Sequence, residues 1–181
     1  MSSFTIRART ANGDGTEPAL VTDSDVVAGV LEDAAHYPGG HAEAVVYVRN
    51  EGEVAAVLRS HPRVLVVGAQ SSLTGGATPM GEVVMSTARM NRVRFVGDGL
   101  VCVEPGLSLV ELDQALAAAG AWYPPVPTYT GAFVGGIVST NAAGAATFKY
   151  GTTRAWVQAL TVVLASGEVL DLERGRCLAH A

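Results

Sequence analysis

The sequence predicts an α+β fold in two lobes, a small α/β lobe with parallel strands followed by a lobe of mixed and antiparallel sheet with helices. Apolar runs at 44–48 and 64–67 bracket a helical stretch, a spacing that reads as a βαβ unit with a parallel pair of strands. Further along, Gly97-Asp98-Gly99 and Ser166-Gly167 each separate short apolar runs, the mark of antiparallel hairpins. The change of pattern falls near Gly81, which divides the chain into an amino-terminal arm (1–22), a first lobe (23–80) and a second lobe (81–181).

Composition agrees with a packed domain. Of 181 residues, 49% are hydrophobic and 16% charged, far from the low-hydrophobicity, high-charge signature of disorder. The net charge of −5, with no run of Lys and Arg, argues against a nucleic-acid or anionic-membrane binder. No apolar run is long enough for a membrane span, and residues 1–14 hold no signal-peptide core. Of the cysteines, Cys102 lies in an apolar strand-like run and reads as a small buried hydrophobe, and Cys177 lies far from it. A reducing, cytoplasmic setting fits this usage.

Residues 2–22 are polar and aperiodic, and read as a tail or arm. Ser24 is placed to cap a helix carrying Val26, Val27, Val30 and Leu31, which Pro38-Gly39-Gly40 stops. Residues 44–48 read as a buried strand, and Asn50, with Glu53 as capping-box partner, starts a helix whose apolar face is Val54, Val57 and Leu58. Residues 64–67 form a strand that stops at Gly68, and 83–85 form another. The first hairpin pairs 93–96 with 100–103. Ser108 then caps a helix through Val110, Leu112, Leu116 and Ala119, with Gly120 as its stop. The second hairpin pairs 157–164 with 169–172.

The glycines, 21 in all, are concentrated in a pair of segments. The first, Gly68-Ala-Gln-Ser-Ser-Leu-Thr-Gly-Gly76, follows a strand and has the build of an anion cradle: small residues let backbone N–H groups turn to a ligand, and Ser71, Ser72 and Thr74 add hydroxyls. It is not a Walker A loop, because Ala77 follows Gly76, and its spacing is not that of a Gly-x-Gly-x-x-Gly dinucleotide fingerprint. An ordinary glycine-rich turn between strands is the alternative. The second segment, 123–151, is long, neutral and broken by Pro124, Pro125 and Pro127. Its Phe133, Ile137 and Phe148 disfavour disorder, which leaves a surface Ω-loop or a segment that wraps a large, flat, partly apolar ligand.

In order along the chain, Gly68-Ala-Gln-Ser-Ser-Leu-Thr-Gly-Gly76, Met85-Ser-Thr-Ala-Arg-Met-Asn-Arg92, Val103-Glu-Pro-Gly106, Pro124-Pro125, Gly135-Gly-Ile-Val-Ser-Thr-Asn141 with Gly144, Lys149-Tyr-Gly151, Thr153-Arg154 and Val162-Val-Leu-Ala-Ser-Gly-Glu168 resemble the FAD-binding (PCMH-type) domain of the vanillyl-alcohol oxidase and p-cresol methylhydroxylase superfamily. The most similar branch holds glycolate oxidase, D-lactate dehydrogenase and alkyl-dihydroxyacetonephosphate synthase. The resemblance covers about residues 44–172. It implies a two-lobed PCMH-type fold and an FAD-dependent oxidoreductase that oxidises a 2-hydroxy acid or related alcohol by hydride transfer to FAD. Alternatives on the same fold are a module of an alkyl-dihydroxyacetonephosphate synthase-like enzyme and a non-catalytic scaffold.

By the same resemblance, Val66, Val67, Gly68, Ala69, Gln70, Ser71 and Ser72 form the pyrophosphate loop, with Leu73, Thr74, Gly75 and Gly76 completing its turn. Pro127, Thr128, Tyr129, Thr130, Gly131, Ala132 and Phe133 run beside the flavin and ribityl chain; Gly135 and Gly136, then Thr140, Asn141, Ala142, Ala143 and Gly144, supply further FAD contacts. Arg89, Asn91 and Arg92 match the family pattern as either a structural anchor between lobes or a cofactor contact. Relatives with a histidyl flavin carry that His near Ser71 or Ser72. Here no His lies between His61 and His180, while His36, His41 and His61 read as surface residues, so FAD is expected to be non-covalent and no metal is expected. Tyr129, Lys149 and Tyr150 are the polar side chains near the expected flavin, and none is assigned as acid or base. The family proteins continue into a further FAD-contacting segment and a substrate-binding cap. The small-molecule substrate is therefore expected to meet a carboxy-terminal part or a second chain. No nucleic-acid partner is expected, and a homo-oligomer stays open.

Overall fold

The computed structural model of the chain describes residues 4–13 and 15–175, so Cys177 and His180 lie outside the described residues. Its centre is a parallel sheet of β2 (Val45–Tyr47), β3 (Val64–Val67) and β4 (Val83–Ser86) in the order β2-β4-β3. These are continuous apolar runs because both faces are covered, except at Val66 near the end of β3, which is exposed. Val45, Val67 and Val84 point to one face and pack with Val27 and Val30 beside α1 (Ser24–Ala28). Val46 and Met85 point to the other and pack with Val48, just after β2, and with Val57 on α2 (Glu51–Ser60).

The expected βαβ unit exists, but its strands are not neighbours. β4 lies between them, parallel to both, with Met85 opposite Val46 and Val66. The change of sheet expected near Gly81 therefore comes after Ser86. Gly81 (φ +96°) makes the turn that feeds β4 back into the middle of the parallel sheet rather than out of it.

α1 is shorter than its apolar spacing suggests. Asp23, not Ser24, is the cap and accepts from the N–H groups of Asp25 and Val26. The helix ends at Ala28, because Val30 reaches the core from the turn at Gly29. On α2, Asn50 caps as expected and accepts from Glu53 N at 2.9 Å, while the Glu53 carboxylate reaches back to Arg49 N rather than to the cap itself.

Residues 4–9, read from sequence as part of an arm, form β1 (Phe4–Arg9). It is an edge strand of an antiparallel sheet ordered β1-β8-β7, with β7 (Ala159–Val163) and β8 (Val169–Arg174) as the expected second hairpin. Polar alternation hid this strand. Its last residue, Arg9, is held by a fork to Asp171 at 2.6 and 3.1 Å and a second to Glu51 at 2.5 and 2.9 Å.

The first hairpin, β5 (Val93–Gly97) and β6 (Leu100–Val103), turns through Asp98 (φ +52°) and Gly99 (φ +71°), as a two-residue turn requires. Cys102 is exposed, contrary to the expectation of burial. It pairs with Phe95 on the outer face of this ribbon, while Val96, Val101 and Val103 turn inward. α3 (Leu109–Ala118) starts in the expected capping box of Ser108 and Glu111, and packs Leu109, Leu112 and Leu116 with Leu107 and Ile137. The segment at 123–151 holds α4 (Val134–Ser139) and α5 (Thr147–Tyr150), and α6 (Thr153–Trp156) follows.

Candidate functional site

β3 delivers the chain to the carboxyl edge of the parallel sheet, where open α/β sheets gather ligands. Val67 is buried, and beyond it the backbone stops pairing. Among the described residues, the N–H groups of Gly68, Ala69, Gln70, Ser71, Ser72 and Leu73 donate to no acceptor in the chain. Thr74 N goes only to Ser72 Oγ at 3.3 Å, and the Ser72 and Thr74 hydroxyls meet at 2.9 Å. A run of consecutive N–H groups left without partners is unusual unless water or a ligand receives them.

The loop is not loose. Gln70, at φ +48°, donates from Nε2 to the carbonyls of Val30 (2.9 Å) and Ala77 (2.8 Å). Asp33, 3% exposed, accepts from Ala77 N and Ala35 N below it. Gly75 has φ +75° and lies so close to the Tyr37 ring that an added Cβ would approach it to 3.0 Å. Gly76 has no such restriction; a Cβ there would meet only Thr74 Oγ1, at 3.4 Å.

The glycine-rich segments meet at Gly68, where an added Cβ would lie 3.5 Å from the Cβ and ring of Phe133. Phe133 is held there because residues 130–135 run along 105–110: Val110 N donates to Thr130 O, Leu109 N to Ala132 O, Val134 N to Leu107 O and Gly135 N to Pro105 O. Gly135 must be glycine, since a Cβ would stand 2.7 Å from Pro105 Cβ. Thr128, Tyr129 and Thr130 are exposed beside this strip, while Pro127 is buried.

Residues 140–144 are held from the other side. Asn141 (φ +51°) accepts Arg154 N at 2.8 Å, and the Thr153 hydroxyl donates to Ala142 O at 2.7 Å. Because that proton is committed, the Tyr123 hydroxyl at 2.6 Å is the donor to Thr153 Oγ1. Burial pushes the Tyr123 hydroxyl above its ordinary pKa. Gly144 carries the Val126 carbonyl directly on its Cα; a Cβ would come within 1.8 Å of that oxygen.

Arg92 is an anchor. It donates from N and Nε to Glu104 at 2.8 and 3.2 Å and from Nη2 to the Arg49 carbonyl, tying the end of β6 to the loop after β2. Arg94 also binds Glu104, which is 6% exposed. Burial alone would raise the Glu104 pKa; the N–H groups of Arg92 and the Arg94 guanidinium outweigh it and hold the carboxyl below the ordinary range. Arg89 lies over the Tyr47 ring at 4.8 Å, at the same carboxyl edge.

Of the groups near the expected flavin, Lys149 lies 4.8 Å over the Tyr150 ring, which makes a T-shaped contact with Trp122, and Tyr129 is exposed. His36 and His41 are exposed, and His61 binds Glu17 at 2.7 Å. No His/Cys/Asp/Glu group able to hold a metal occurs among the described residues, nor a helix long and apolar enough to cross a membrane.

Sequence reasoning missed Asp33 and Glu104. Glu104 carried a signal, an acid directly after an apolar strand and just before Pro-Gly. Asp33 carried none, since its partners lie in a distant loop.

A family model described as "FAD binding domain" matches residues 42–173. The chain is 38% identical over 135 residues to D-lactate dehydrogenase of Archaeoglobus fulgidus, covering 71% of this chain and 30% of that protein. It is 32% identical over 136 residues to glycolate oxidase subunit GlcD of Bacillus subtilis, covering 71% and 29%. The chain thus spans about 30% of the length of such relatives. A solved structure of alkyldihydroxyacetonephosphate synthase superposes with a TM-score of 0.71 over 90% of this chain and 38% of the other, at 16% identity, which is a likeness of fold.

Proposed function

The chain belongs to the FAD binding domain family, and on that premise we propose that it holds FAD non-covalently for an oxidoreductase acting on a 2-hydroxy acid or related alcohol. The unpartnered N–H groups of residues 68–73 carry this reading. They lie at the carboxyl edge of a parallel sheet, on a braced loop with no side chain at Gly75 or Gly76 to block approach. A row of backbone donors suits the oxygens of a diphosphate without requiring a cation.

The loop would bind the diphosphate through residues 68–76. Gly68 and Phe133 lie together, which supports a ligand passing from that loop onto residues 127–133, 135–136 and 140–144. When bound, the flavin supplies a hydride acceptor. This chain's residues orient it, and the neutral surface of 127–133 excludes water from one side. The cleft between α3 and 123–130 holds only about 240 Å³, less than a dinucleotide needs, so the exposed strip is the better seat.

Substrate contacts, including any general base, are proposed to come from further sequence or a second chain. D-Lactate dehydrogenase and glycolate oxidase among the relatives favour a 2-hydroxy acid. A scaffold role has no use for a row of free donors on an unobstructed loop. The setting is read as cytoplasmic from the sparse cysteines.

The experiment is a titration of the purified chain with FAD, followed by flavin fluorescence, with an intact mass on the denatured product. Saturable uptake with all flavin released on denaturation is expected. Absence of uptake overturns the proposal, and a mass increased by one flavin overturns its non-covalent part.

A further inference from the structure

We propose that Gln70 is the positioning residue that holds the diphosphate-binding loop in its binding form before a ligand arrives; this rests on the reading of residues 68–76 just given. Gln70 occupies φ +48°, a region that disfavours side chains other than Asn and Asp. A long unbranched residue there needs a compensating interaction, and the side chain supplies one. Its Nε2 donates to Val30 O at 2.9 Å and to Ala77 O at 2.8 Å, while its own backbone carbonyl accepts Ala34 N at 2.9 Å. Val30 belongs to the core on one face of the parallel sheet, and Ala77 packs against that same cluster. One side chain therefore ties both ends of residues 70–77 together and fastens them to a rigid floor.

These links engage the carbonyls of Val30, Ala77 and Gln70. Beneath them the buried Asp33 takes only Ala77 N, at 3.2 Å, from the loop and gives its own N–H to Thr78 Oγ1 at 3.4 Å. None of these bonds uses an N–H group from residues 68–73. The brace thus fixes the loop while leaving its outward donors free. A neutral amide suits this position, because a carboxylate in its place would face carbonyl oxygens. A loop ordered on folding does not have to be ordered again on binding, so affinity rests on the brace without Gln70 touching the ligand.

The test uses the flavin-free 181-residue chain, titrated by calorimetry with FAD and with ADP, a probe that carries the diphosphate without the flavin. Gln70→Gly keeps the backbone conformation available and removes the brace. The expected result, read well below the melting temperature that loss of two hydrogen bonds should itself lower, is a Kd raised about tenfold or more for both ligands, with a more unfavourable binding entropy. Gln70→Glu should fall at least as far. If the wild-type chain binds and Gln70→Gly binds equally tightly, the role of Gln70 is overturned while the FAD reading stands. If the wild type itself binds neither ligand, the reading of the loop fails and the role of Gln70 with it. A measurement that needs no variant is the set of backbone order parameters of Ser71, Ser72 and Thr74 in the flavin-free wild type. Values matching β3, about 0.85, are expected, and values below about 0.6 overturn the proposal.

Discussion

Gly68 lies against Phe133, close enough that a Cβ on the glycine would stand 3.5 Å from the phenylalanine ring. That is ordinary contact, and Gly68 has no positive φ, so Gly68→Ala should retain FAD binding within a few-fold. Gly68→Val puts a branched side chain into the Phe133 ring, at a typical overpacking cost of about 1–3 kcal/mol, and should lose most FAD affinity as Phe133 is displaced. Titration and thermal melting of both variants check this. Equal binding by Gly68→Val would remove Gly68 from the proposed path of the cofactor.

Gly75 and Gly76 separate a conformational requirement from a steric one. Gly75→Glu should lose both FAD binding and stability, since any Cβ at φ +75° strains the backbone and meets Tyr37. Gly76→Glu should keep the wild-type melting temperature and still bind FAD at least about tenfold more weakly, because an added carboxylate would face the diphosphate. Calorimetric melts beside FAD titrations distinguish the cases. Tight FAD binding by Gly76→Glu would count against the diphosphate assignment.

Glu104 should make stability depend on acid. Its carboxyl is held below the ordinary glutamate value of 4.5, so its contribution is fully present above that value and disappears as pH falls through the lower folded one. Glu104→Gln removes a charged acceptor shared by Arg92 and Arg94, and should cost about 1–3 kcal/mol at neutral pH. Urea unfolding of the wild type and the variant should show the gap steady above the ordinary value of 4.5 and closing as pH falls below it. A gap independent of pH would refute the ionised pairing.

The Tyr123–Thr153–Ala142 chain has a direction, and the direction ranks its variants. Tyr123→Phe leaves the Thr153 hydroxyl still donating to Ala142 O, and should cost about 0.5–1.5 kcal/mol. Thr153→Val orphans both neighbours, and should cost more, about 1–3 kcal/mol. Chemical denaturation gives both numbers, and the reverse order would mean that the hydroxyl protons run the other way.

Where the signal is local, the sequence is legible. The Ser108 capping box, the Asp98-Gly99 turn and the halt of β3 at Gly68 depend on near neighbours and are where they are expected. Non-local choices are not legible. Nothing in residues 4–9 says that they pair with 169–174, because an edge strand facing solvent has no apolar run to display. Cys102 departs from expectation for a related reason: in a two-stranded ribbon only one face has a core to join, and the sequence does not say which. For the candidate site, the glycine pattern of the loop is readable, but its supports, Asp33 and the reach of the Gln70 amide, join segments far apart in the chain.

The strand order β2-β4-β3 sets a schedule for synthesis. β2 and β3 leave the ribosome first, yet neither has a neighbour in the parallel sheet until Ser86 has followed them, because β4 is the strand to which both are bonded. A nascent chain halted at Gly81 would carry the whole 68–76 loop on an unpaired strand, with the valines of β2 and β3 open to chaperones. Pairing of this kind is slow to find by diffusion. The arrival of β4 is therefore the step that turns those residues from a sticky emerging segment into a sheet able to present its donors.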